Sequence, residues 1–497
     1  MPASPTPAPI RISKSKFIAG TQCVKRLYLQ VHSPELADEA DDGQEARCVQ
    51  GREVGLLAQK RYPKGVRVGF EGGIEAALAT TATLMDNSSV PAIFEATFQH
   101  SGLFVRVDIL QRRPHGRWRL IEVKSSVSDK PHYLYDVAIQ YHVLTACGLD
   151  ISPACLMHLN RDYRFDGRQH DLEALFTIRN QMKQIKELEA DLPSLLKAQR
   201  EALAQANPPD IAPGSHCTDP YQCEFFSHCN PELPEHHISF LRGLGVKKRQ
   251  ALVDLGVSLI PEIPEDFSLT ELQARMRASV TTGQTWVSPT IQKELSQLKH
   301  PLYFMDFESL SPAVPRYSGM WPYSQIPFQW SVHRQLAPEA QLEHFEFLAE
   351  DDLDPRPKFI ESLCGVMGKR GQIVVYNAGF ESERLNELAD WLPEYKGRIE
   401  NIRGRLWDLL PFIRKHVYHP KFRGSFSLKS VLPALVPDMT YDGMEVADGI
   451  EAGLVWEQMI RGKFAPTECE QWKAALLAYC RQDTLAMVKI LERLPPA

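Results

Sequence analysis

The sequence predicts an α/β fold divided into two domains that are joined by a helical linker. Its 497 residues are too many for one ordinary domain. In the first half, residues 105–126 alternate apolar and polar side chains on both sides of a polar loop, which is typical of a β-hairpin. In the second half, a buried strand begins at Pro301 and is followed by further strands and helices. The expected divisions are a disordered tail at 1–12, a first domain at 13–236, a helical linker at 237–298 and a second domain at 299–497.

The composition indicates a soluble globular protein. Hydrophobic residues make up 43% of the chain and charged residues 24%. The net charge of −6 does not indicate nucleic-acid binding, but a local basic patch could still provide it. We find no apolar run of the roughly 18–20 residues that a membrane span needs, and the Pro-rich start lacks the apolar core of a signal peptide. We therefore expect a cytoplasmic location and no membrane partner, and we expect the ten cysteines to be metal ligands and buried thiols rather than disulfides.

The hairpin at 105–126 carries the first candidate site. Because side chains alternate along a strand, Glu122 and Lys124 share one face while Val123 points to the other, and Asp108 on the neighbouring strand can reach the face of Glu122. Two carboxylates and an ammonium group together suit a hard divalent cation and phosphodiester chemistry. The alternative is a surface hairpin with an ordinary Glu–Lys ion pair.

These residues resemble the core motif of the PD-(D/E)XK nucleases, especially the RecB-like branch that includes the CRISPR-associated single-strand exonucleases. The resemblance implies that Asp108 and Glu122 bind Mg²⁺ or Mn²⁺ and that Lys124 serves the attacking water. The following segment, YDVAIQYHVL, is similar to the family's next helix and places Gln140 at its glutamine. Gly55 stands where the family often has a metal-binding histidine, and Glu95 is the candidate substitute.

Three cysteines spaced by five residues follow the predicted nuclease core, in a segment rich in Pro and His. A tetrahedral site needs a fourth ligand, for which Cys23 is the candidate. The set is Cys23, Cys217, Cys223 and Cys229. One cysteine before the core and three after it resemble the iron–sulfur staple of RecB-like nucleases, which implies a [4Fe–4S] cluster; Zn²⁺ is the alternative. His216 and His228 could replace a thiol at a zinc site, and buried thiols without metal are the remaining interpretation.

The predicted linker contains a segment that resembles a helix-hairpin-helix. In Ser239–Ile263, two glycines precede a helix that starts with three cations. Backbone N–H groups at such a turn can approach a phosphate, and the cations add to the attraction. A plain turn between packed helices is the alternative. The candidate nucleic-acid-binding residues are Gly243, Gly245, Lys247, Lys248 and Arg249.

The second domain begins with a strand that carries two acids. In PLYFMDFESL, Asp306 and Glu308 lie on one face of a buried strand and Phe307 lies on the other. Buried carboxylates are costly unless a positive charge compensates them. The sequence therefore predicts a cation site on this strand.

Two later motifs complete the second candidate site. Glu381 follows Asn377 by four residues at the start of a helix, and Tyr479 and Asp483 lie four apart on one face of another. The ordered motifs D-x-E, N-x3-E and Y-x3-D resemble the DEDD exonucleases, which are DnaQ-like and have the RNase H fold. The resemblance implies that Asp306, Glu308, Glu381 and Asp483 bind two Mg²⁺ or Mn²⁺ ions and that Tyr479 orients the attacking water. Glu381 stands where the family usually has Asp, and Asp408 is the alternative ligand, although an Asp there usually caps the next helix.

Two weaker features accompany this site. In the aromatic segment Pro315–Ser331, Trp321 or Tyr323 could stack on bases or pack within a loop, while Phe328 and Trp330 are expected in the core. A basic neighbourhood could follow phosphates or be a solvated face. Its members are Lys415, His416, Lys421, Arg423 and Lys429.

The combined expectation is a metal-dependent nuclease with two active sites that degrades DNA, most specifically single-stranded DNA. The second domain would be the 3′→5′ exonuclease and the first a second nuclease. One alternative is that only one domain cuts and the other binds nucleic acid; another is that RNA is the substrate. The resemblance also suggests DNA repair or defence, in which a helicase or another repair protein could be a partner.

Overall fold

The computed structural model describes residues 11–39, 42–230 and 233–494. The chain divides into two compact units. The first comprises the described residues up to 230 together with Pro312–Ser324, and the second comprises Leu233–Ser311 and the described residues from Gln325 onward. Both units contain sheets and helices, which confirms the predicted α/β class. Of the tail predicted at 1–12, residues 1–10 lie outside the described residues, and Ile12 belongs to a strand.

The first unit is built on a mixed seven-stranded sheet. Its order is β2-β3-β4-β5-β6-β7, and the short β1 pairs in parallel with β4. The predicted hairpin is the antiparallel pair β4 and β5. The strands are β1 (Ile12–Ser13), β2 (Val66–Arg67), β3 (Ala92–His100), β4 (Leu103–Arg112), β5 (Trp118–Lys124), β6 (Ile151–Leu159) and β7 (Phe176–Asn180).

Helices cover both faces of this sheet. One apolar core contains residues of β3, β4, β5 and α5, and a second core contains residues of α3, β6 and β7. The helices are α1 (Lys14–Gln22), α2 (Val24–His32), α3 (Asp42–Gln59), α4 (Gly73–Asp86), α5 (Tyr133–Ala146), α6 (Leu172–Leu175), α7 (Met182–Glu189), α8 (Leu192–Leu203) and α9 (Phe226–Cys229).

At one position along β3 and β4, the alternate side chains that pack into one core shift to the opposite face of the sheet and pack into the other core. Phe94 pairs with Ile109 and Ala96 pairs with Val107, so Glu95 and Asp108 stand opposite each other between these pairs. Val107 packs into one core, whereas Ile109, two residues on, packs into the other. Glu95 has a left-handed backbone (φ 56°), which is rare away from glycine and marks a local distortion of the strand. The distortion thus lies beside Asp108.

The sequence of Ser13–His32 predicts one capped helix with Cys23 near its middle, and the structure interrupts this helix at Cys23. Ser13 caps α1 as expected, since its hydroxyl accepts a hydrogen bond from the Lys16 N–H at 3.3 Å. Cys23 itself is extended (φ −160°, ψ 121°) and separates α1 from α2. A continuous helix over this segment was therefore the wrong interpretation. The break turns Cys23 toward the other three cysteines of the predicted set.

The second unit contains a five-stranded sheet of order β11-β10-β9-β12-β13. Only β10 runs antiparallel to the other strands of this sheet, since it is antiparallel to both β9 and β11 while β9, β12 and β13 are parallel. The strands are β8 (Trp286–Val287), β9 (Leu302–Leu310), β10 (Ile326–Gln335), β11 (Glu343–Leu348), β12 (Gln372–Val375), β13 (Leu406–Asp408) and β14 (Val417–Tyr418), of which β8 and β14 form a separate antiparallel pair.

Alternate residues of β9 pack into the two cores of this unit. Leu302 and Phe304 face one core, and Tyr303, Met305 and Phe307 face the other. The even-numbered acids of β9 therefore lie on the face opposite Phe307, as predicted. The helices of the unit are α10 (Val246–Asp254), α11 (Glu271–Thr282), α12 (Ile291–Leu295), α13 (Arg356–Val366), α14 (Ala378–Trp391), α15 (Lys396–Arg403), α16 (Leu409–His416), α17 (Leu428–Leu435), α18 (Gly449–Ile460) and α19 (Pro466–Arg493).

The segment predicted as a linker packs into the core of the second unit. Leu252 of α10 and Met276 of α11 are fully buried in the same cluster as Phe304 of β9. At the turn that resembles a helix-hairpin-helix, Gly243 has a positive φ of 74°, which glycine adopts without strain. Gly245 then caps α10 in an extended conformation.

The segment 312–324 leaves the second unit after β9 and returns at β10. Ala313 and Val314 are buried in a core of the first unit, together with Ile109 and Ile121. The N–H of Phe165 donates to the Met320 carbonyl at 2.9 Å. This segment is therefore part of the first unit although it lies between two strands of the second. Within the ranges that the structure describes, no helix has both the length and the apolar character that crossing a lipid bilayer requires.

Candidate metal-dependent active sites

The predicted residues of the first site come together on β4, β5 and α5. We call Asp108, Glu122, Lys124 and Gln140 the N-terminal site. The Lys124 ammonium lies 2.9 Å from Glu122 Oε1, and the Gln140 amide donates to Glu122 Oε2 at 2.7 Å. Asp108 Oδ2 accepts a hydrogen bond from the Val123 N–H at 2.7 Å. The geometry thus brings together all four residues of this predicted site.

Two residues of this site were missed by the sequence analysis. Lys14, at the start of α1, donates to both carboxylate oxygens of Glu122 at 2.9 and 2.8 Å. Asp136 of α5 accepts from Lys124 at 2.7 Å, and its carbonyl accepts from Gln140 at 2.7 Å. Asp136 lies four residues before Gln140 on one helix face, a spacing that could have identified it. Lys14 is distant in sequence, and nothing local indicated it.

The donors around Glu122 fill its acceptor positions. A carboxylate has about four lone-pair positions. Oε1 accepts from Lys14 and Lys124, and Oε2 accepts from Lys14 and Gln140. A cation can therefore bind Glu122 only if one of these donors moves.

The two carboxyl groups of the N-terminal site differ in acidity. Burial and repulsion by Glu122 raise the pKa of Asp108 to about 7. Burial would also raise the pKa of Glu122, but Lys124 and Lys14 lower it well below its ordinary value. Glu122 is thus a stable carboxylate, while Asp108 is partly protonated near neutral pH and a further positive charge nearby would favour its ionised form.

The substitute ligand Glu95 is engaged elsewhere. Its carboxylate lies 3.1 Å from the Arg106 guanidinium. Gly55 lies on α3 and has no side chain to offer. Gly55 therefore adds no ligand to Asp108 and Glu122, and Glu95 remains a candidate that is paired with Arg106 in this structure.

The four predicted cysteines line one small cavity, which we call the cysteine cavity. Its volume is about 20 Å³, and Cys23, Cys217, Cys223 and Cys229 all contribute to its wall. All ten cysteines of the chain are free thiols. Burial raises the pKa of Cys223 to about 11, with a further increase from Cys23.

The wall of the cysteine cavity also carries positive charge. Lys25 and Arg26 line it, and Lys25 lowers the pKa of Cys229 against the effect of burial. Thiolates are the metal-binding form of cysteine, and nearby cations favour them. The residues present therefore fit a group that is held by four thiolates. His216 also lines the cavity, whereas His228 is exposed.

Removing Cys23 tests this cavity. Because a group bound by four thiolates stabilises the folded state, we expect Cys23→Ser to lose bound iron or zinc and to lower the melting temperature of the first unit by roughly 6–12 °C, equivalent to about 3 kcal/mol. Metal analysis, absorbance near 400 nm and calorimetry would measure this. Cys48→Ser, which changes an exposed cysteine of α3, is the matched control. Equal metal content and stability in both variants would contradict the prediction.

The second site lies on β9, α14 and α19. We call Asp306, Glu308, Glu381 and Asp483 the C-terminal site. Donor atoms of Asp306, Glu308 and Cys480 lie within 4.8 Å of one another, an arrangement that could hold a metal ion. Asp483 and Glu381 raise the pKa of Asp306 further after burial, so the four acids act on one another. The predicted set is thus assembled in one place.

Glu381 is the most completely buried of these acids. It is 1% exposed, and its Oε2 atom has no hydrogen-bond partner among the described residues. Burial raises its pKa to about 8, with Asp408 adding to the increase. Buried polar atoms in proteins nearly always have a partner. An unpaired oxygen at this position fits a metal ligand.

Asp408 caps helices and is not free to bind a cation. Its Oδ1 accepts from the N–H groups of Leu410 and Asn377 at 3.0 Å, and its Oδ2 accepts from the Ala378 N–H at 2.9 Å. It thereby fixes the start of α14, the helix that carries Glu381. The expected capping role of Asp408 is confirmed.

Three further residues complete the C-terminal site. The Tyr441 hydroxyl donates to Asp483 Oδ1. The Lys429 ammonium lies 5.7 Å from the centre of the Tyr441 ring and 5.6 Å from that of Tyr479. Lys429 also lowers the pKa of Glu308, against burial and the repulsion by Asp483. From the sequence, Lys429 is expected only in a basic neighbourhood and Tyr441 is not expected at the site, because neither residue lies in a motif that carries an acid.

The C-terminal site carries more negative charge than its own cation can balance. Burial raises the pKa of Glu308 and Asp306 well above their ordinary values and raises that of Asp483 to about 6. Four carboxyl groups beside one ammonium, three of them buried and Asp306 half-buried, must either hold protons or bind external cations. The site can therefore bind divalent cations in exchange for protons.

This exchange predicts a pH-dependent effect of metal on stability. Carboxyl groups with raised pKa values bind more protons in the folded state, so the metal-free protein loses stability as pH rises from about 4 to 8. Since the pKa of Asp483 is about 6 and that of Glu381 about 8, the increase in melting temperature with Mn²⁺ should be larger at pH 8 than at pH 6. Calorimetry with and without Mn²⁺ would measure it. An equal increase at both pH values, or one retained in Asp306→Asn, would contradict the prediction.

The aromatic segment Pro315–Ser331 was expected wholly in the second domain, but the structure divides it between the two units. Phe328 and Trp330 are buried, as predicted. Trp321 and Tyr323 belong to the first unit; the Arg164 guanidinium lies 4.7 Å from the Trp321 ring, and the Tyr323 hydroxyl donates to the Ser125 carbonyl. These contacts favour packing over base stacking for both rings.

The basic neighbourhood is not one continuous charged face. His416 is fully buried and lies 2.9 Å from Glu294, which also pairs with Lys415. The Arg423 guanidinium lies 4.6 Å from the Phe240 ring. The expectation that these residues follow phosphates is therefore wrong for His416, because this buried side chain cannot contact a nucleic-acid strand.

The cations of α10 are partly available. Lys247 and Arg249 are exposed, whereas Lys248 donates to the Ser268 carbonyl at 2.6 Å. Both glycines precede this helix, as the predicted pattern requires. The arrangement leaves two cations beside a helix N-terminus.

The comparisons with known proteins identify relatives without an assigned activity. A family model described as a domain of unknown function (DUF2779) matches residues 303–427, which include Asp306, Glu308 and Glu381. The chain is 23% identical over 218 residues to the uncharacterized protein UU173 of Ureaplasma parvum serovar 3, covering 39% of this chain and 31% of that protein. It is 25% identical over 217 residues to the uncharacterized protein MG366 of Mycoplasma genitalium, covering 39% and 32% respectively. The chain thus spans under a third of the length of these relatives.

A similarity to one solved structure is weaker. The crystal structure of SSO0001 aligns with 38% of this chain and 78% of its own, at 16% identity and a TM-score of 0.18. That score is too low to inform the fold.

Proposed function

We propose that the protein is a metal-dependent nuclease that hydrolyses phosphodiester bonds of DNA, and that its substrate is single-stranded DNA. The observation that carries this proposal is the assembly of four carboxyl groups in the C-terminal site, three of them buried and one of them with an unpaired oxygen. Such a set suits hard divalent cations, for which carboxylate oxygens are the preferred ligands. Mg²⁺ and Mn²⁺ are the proposed cofactors.

The C-terminal site would act as a 3′→5′ exonuclease. Its bound cations would supply an activated water and neutralise the leaving oxygen. Asp306, Glu308, Glu381 and Asp483 would hold them. Tyr479 would orient the attacking water, and Tyr441 keeps Asp483 in place through its hydroxyl.

The sheet of the second unit supports this assignment. A strand order of β11-β10-β9-β12-β13 with only β10 reversed is similar to the RNase H fold. The acids of this fold family lie on the first strand and on helices beside it. Asp306 and Glu308 lie on β9, the central strand of the sheet, and Asp483 lies on α19.

The N-terminal site would be a second nuclease of the PD-(D/E)XK class. Asp108 and Glu122 would bind the cation, Lys124 would hold the attacking water, and Gln140 orients Glu122 through its amide. The thiolates of the cysteine cavity would hold a [4Fe–4S] cluster or Zn²⁺ that joins the two ends of this unit. Lys247 and Arg249 of α10 would contact phosphates of the substrate.

A second candidate is that only the C-terminal site cuts, while the first unit binds nucleic acid. The observation in its favour is the filled set of acceptor positions on Glu122. In that case the lysines around Glu122 would attract phosphates and no hydrolysis would occur there.

The test uses the purified 497-residue chain with matched single-stranded DNA and RNA oligomers that are labelled at either end. We expect Mn²⁺ or Mg²⁺ to support degradation of DNA, EDTA to abolish it, and added cation to restore it. Faster degradation of RNA would change the proposed substrate. Degradation that persists in EDTA would contradict a metal-dependent nuclease.

A further inference from the structure

We propose that Lys14 is a positioning residue of the N-terminal site. Its ammonium group binds Glu122 where a divalent cation would bind, and it weakens cation binding until the ammonium group is displaced. The inference rests on the proposed function of that site. Lys14 Nζ lies 2.9 Å from Glu122 Oε1 and 2.8 Å from Oε2, so it bridges both oxygens of the carboxylate. A cation that binds Glu122 through both oxygens would need the same space.

The backbone of Lys14 is fixed on both sides. Ile12 and Ser13 pair in parallel with Leu103 and Phe104 of β4, the strand that also carries Asp108. On the other side, Lys14 begins α1, whose Phe17 is fully buried in the core. The contact with Glu122 therefore follows from the fold of the unit rather than from a loose N-terminal segment.

The far end of α1 is anchored as well. The Gln22 amide donates to the carbonyl groups of His216 and Tyr221 at 2.6 and 2.7 Å, both in the cysteine-rich segment. Cys23 follows directly and lines the cysteine cavity. Since α1 is held at both ends, Lys14 would leave Glu122 by rotation of its side chain while the helix stays in place.

Among the donors to Glu122, Lys14 would lose the fewest other hydrogen bonds by moving away. Lys124 also binds Asp136 at 2.7 Å, and Gln140 also binds the Asp136 carbonyl at 2.7 Å. Both would lose a second contact by moving. The departure of Lys14 would free one acceptor position on each oxygen of Glu122, which is what a bidentate cation requires.

Electrostatics gives the direction of the effect on cation binding. Lys14 and Lys124 already stabilise the Glu122 carboxylate, and a divalent cation would be repelled by both ammonium groups. Replacing Lys14 by a neutral residue removes the competitor and one repulsion together. Lys124 remains to serve the water.

The test is a titration of the 497-residue chain with Mn²⁺ that is monitored by electron paramagnetic resonance and calorimetry. An Asp306→Asn/Asp483→Asn background removes two of the four proposed cation ligands of the C-terminal site. We expect Lys14→Gln to bind Mn²⁺ about tenfold more tightly than this background does, which corresponds to about 1.4 kcal/mol. Lys14→Met is a second neutral variant that tests the same expectation.

Two controls separate charge from structure. Lys14→Arg keeps the positive charge and should bind Mn²⁺ no more tightly than the background. Lys16→Gln changes the next lysine of the same helix, whose N–H bonds to Ser13, and should leave the affinity unchanged. A merely structural role of Lys14 would not tighten Mn²⁺ binding in the neutral variants alone.

The outcomes distinguish this inference from the proposed function. Equal Mn²⁺ affinity with and without Lys14 would overturn the role of Lys14 and leave the cation site standing. Weaker binding in Lys14→Gln and Lys14→Met would overturn it too. If neither the background nor the neutral variants bind Mn²⁺, both the inference and the N-terminal cation site fail.

Discussion

Asp306→Asn should lower the rate at which 5′-labelled single-stranded DNA is shortened from its 3′ end by at least about a thousandfold, equivalent to about 4 kcal/mol of transition-state stabilisation. Asp306 lies within the only described group of three candidate ligand atoms that are all within 4.8 Å of one another. Asparagine keeps the size of the side chain and removes the charge that binds the cation. Since burial and three other acids already raise the pKa of Asp306, the change should not destabilise the metal-free fold.

A matched variant tests whether the effect belongs to the site. Asp351→Asn changes an exposed acid of the second unit that pairs with Lys358 at 3.0 Å. We expect it to keep the full exonuclease rate. Loss of the rate in both variants, or in neither, would sink the assignment of Asp306 as a cation ligand.

Asp108→Asn should remove a different set of products. We expect it to lower the rate of cleavage by the first unit by about a hundredfold or more. The asparagine side-chain oxygen can still accept the hydrogen bond from the Val123 N–H, so the hairpin should keep its structure. Because the pKa of Asp108 is about 7, part of the metal-free protein already has a neutral side chain at this position at neutral pH. Product lengths on sequencing gels with 5′- and 3′-labelled strands would measure the change.

The control for this variant is Asp86→Asn, at the exposed end of α4. If Asp108→Asn and Asp306→Asn each remove a different product pattern, both units cut. If Asp108→Asn leaves every product unchanged, the first unit only binds, and the second candidate function is the better one.

The sequence was sufficient for the acids because their positions follow from the strand period. Asp306 and Glu308 alternate with Phe307 on β9, so any strand assignment at 302–310 puts both acids on one face. The same reasoning places Glu122 and Lys124 together on β5. Asp108 was joined to Glu122 by the hairpin itself, because the two residues lie on neighbouring strands. Asp483 was joined to Asp306 and Glu308 by the resemblance and not by the local pattern.

Residues that reach a site from elsewhere in the chain could not be predicted. Lys14 meets Glu122 across 108 positions of sequence, and Tyr441 meets Asp483 across 42. Neither contact leaves a periodic signal, because each depends on how whole elements pack. Cys23 shows the same limit at the local level: the helical pattern around it is continuous, and only the packing of α1 and α2 reveals the break.

The path of segment 312–324 determines where this chain can be cut. A fragment that ends near residue 230 would lack Ala313 and Val314 and would leave bare the apolar surface of Ile109 and Ile121 that these residues cover. Such a fragment would tend to aggregate through that surface. A polypeptide that begins near residue 233 would in turn carry this segment without the side chains that surround it. Neither unit is therefore formed by one continuous stretch of the chain, and the first unit is complete only when segment 312–324 is present.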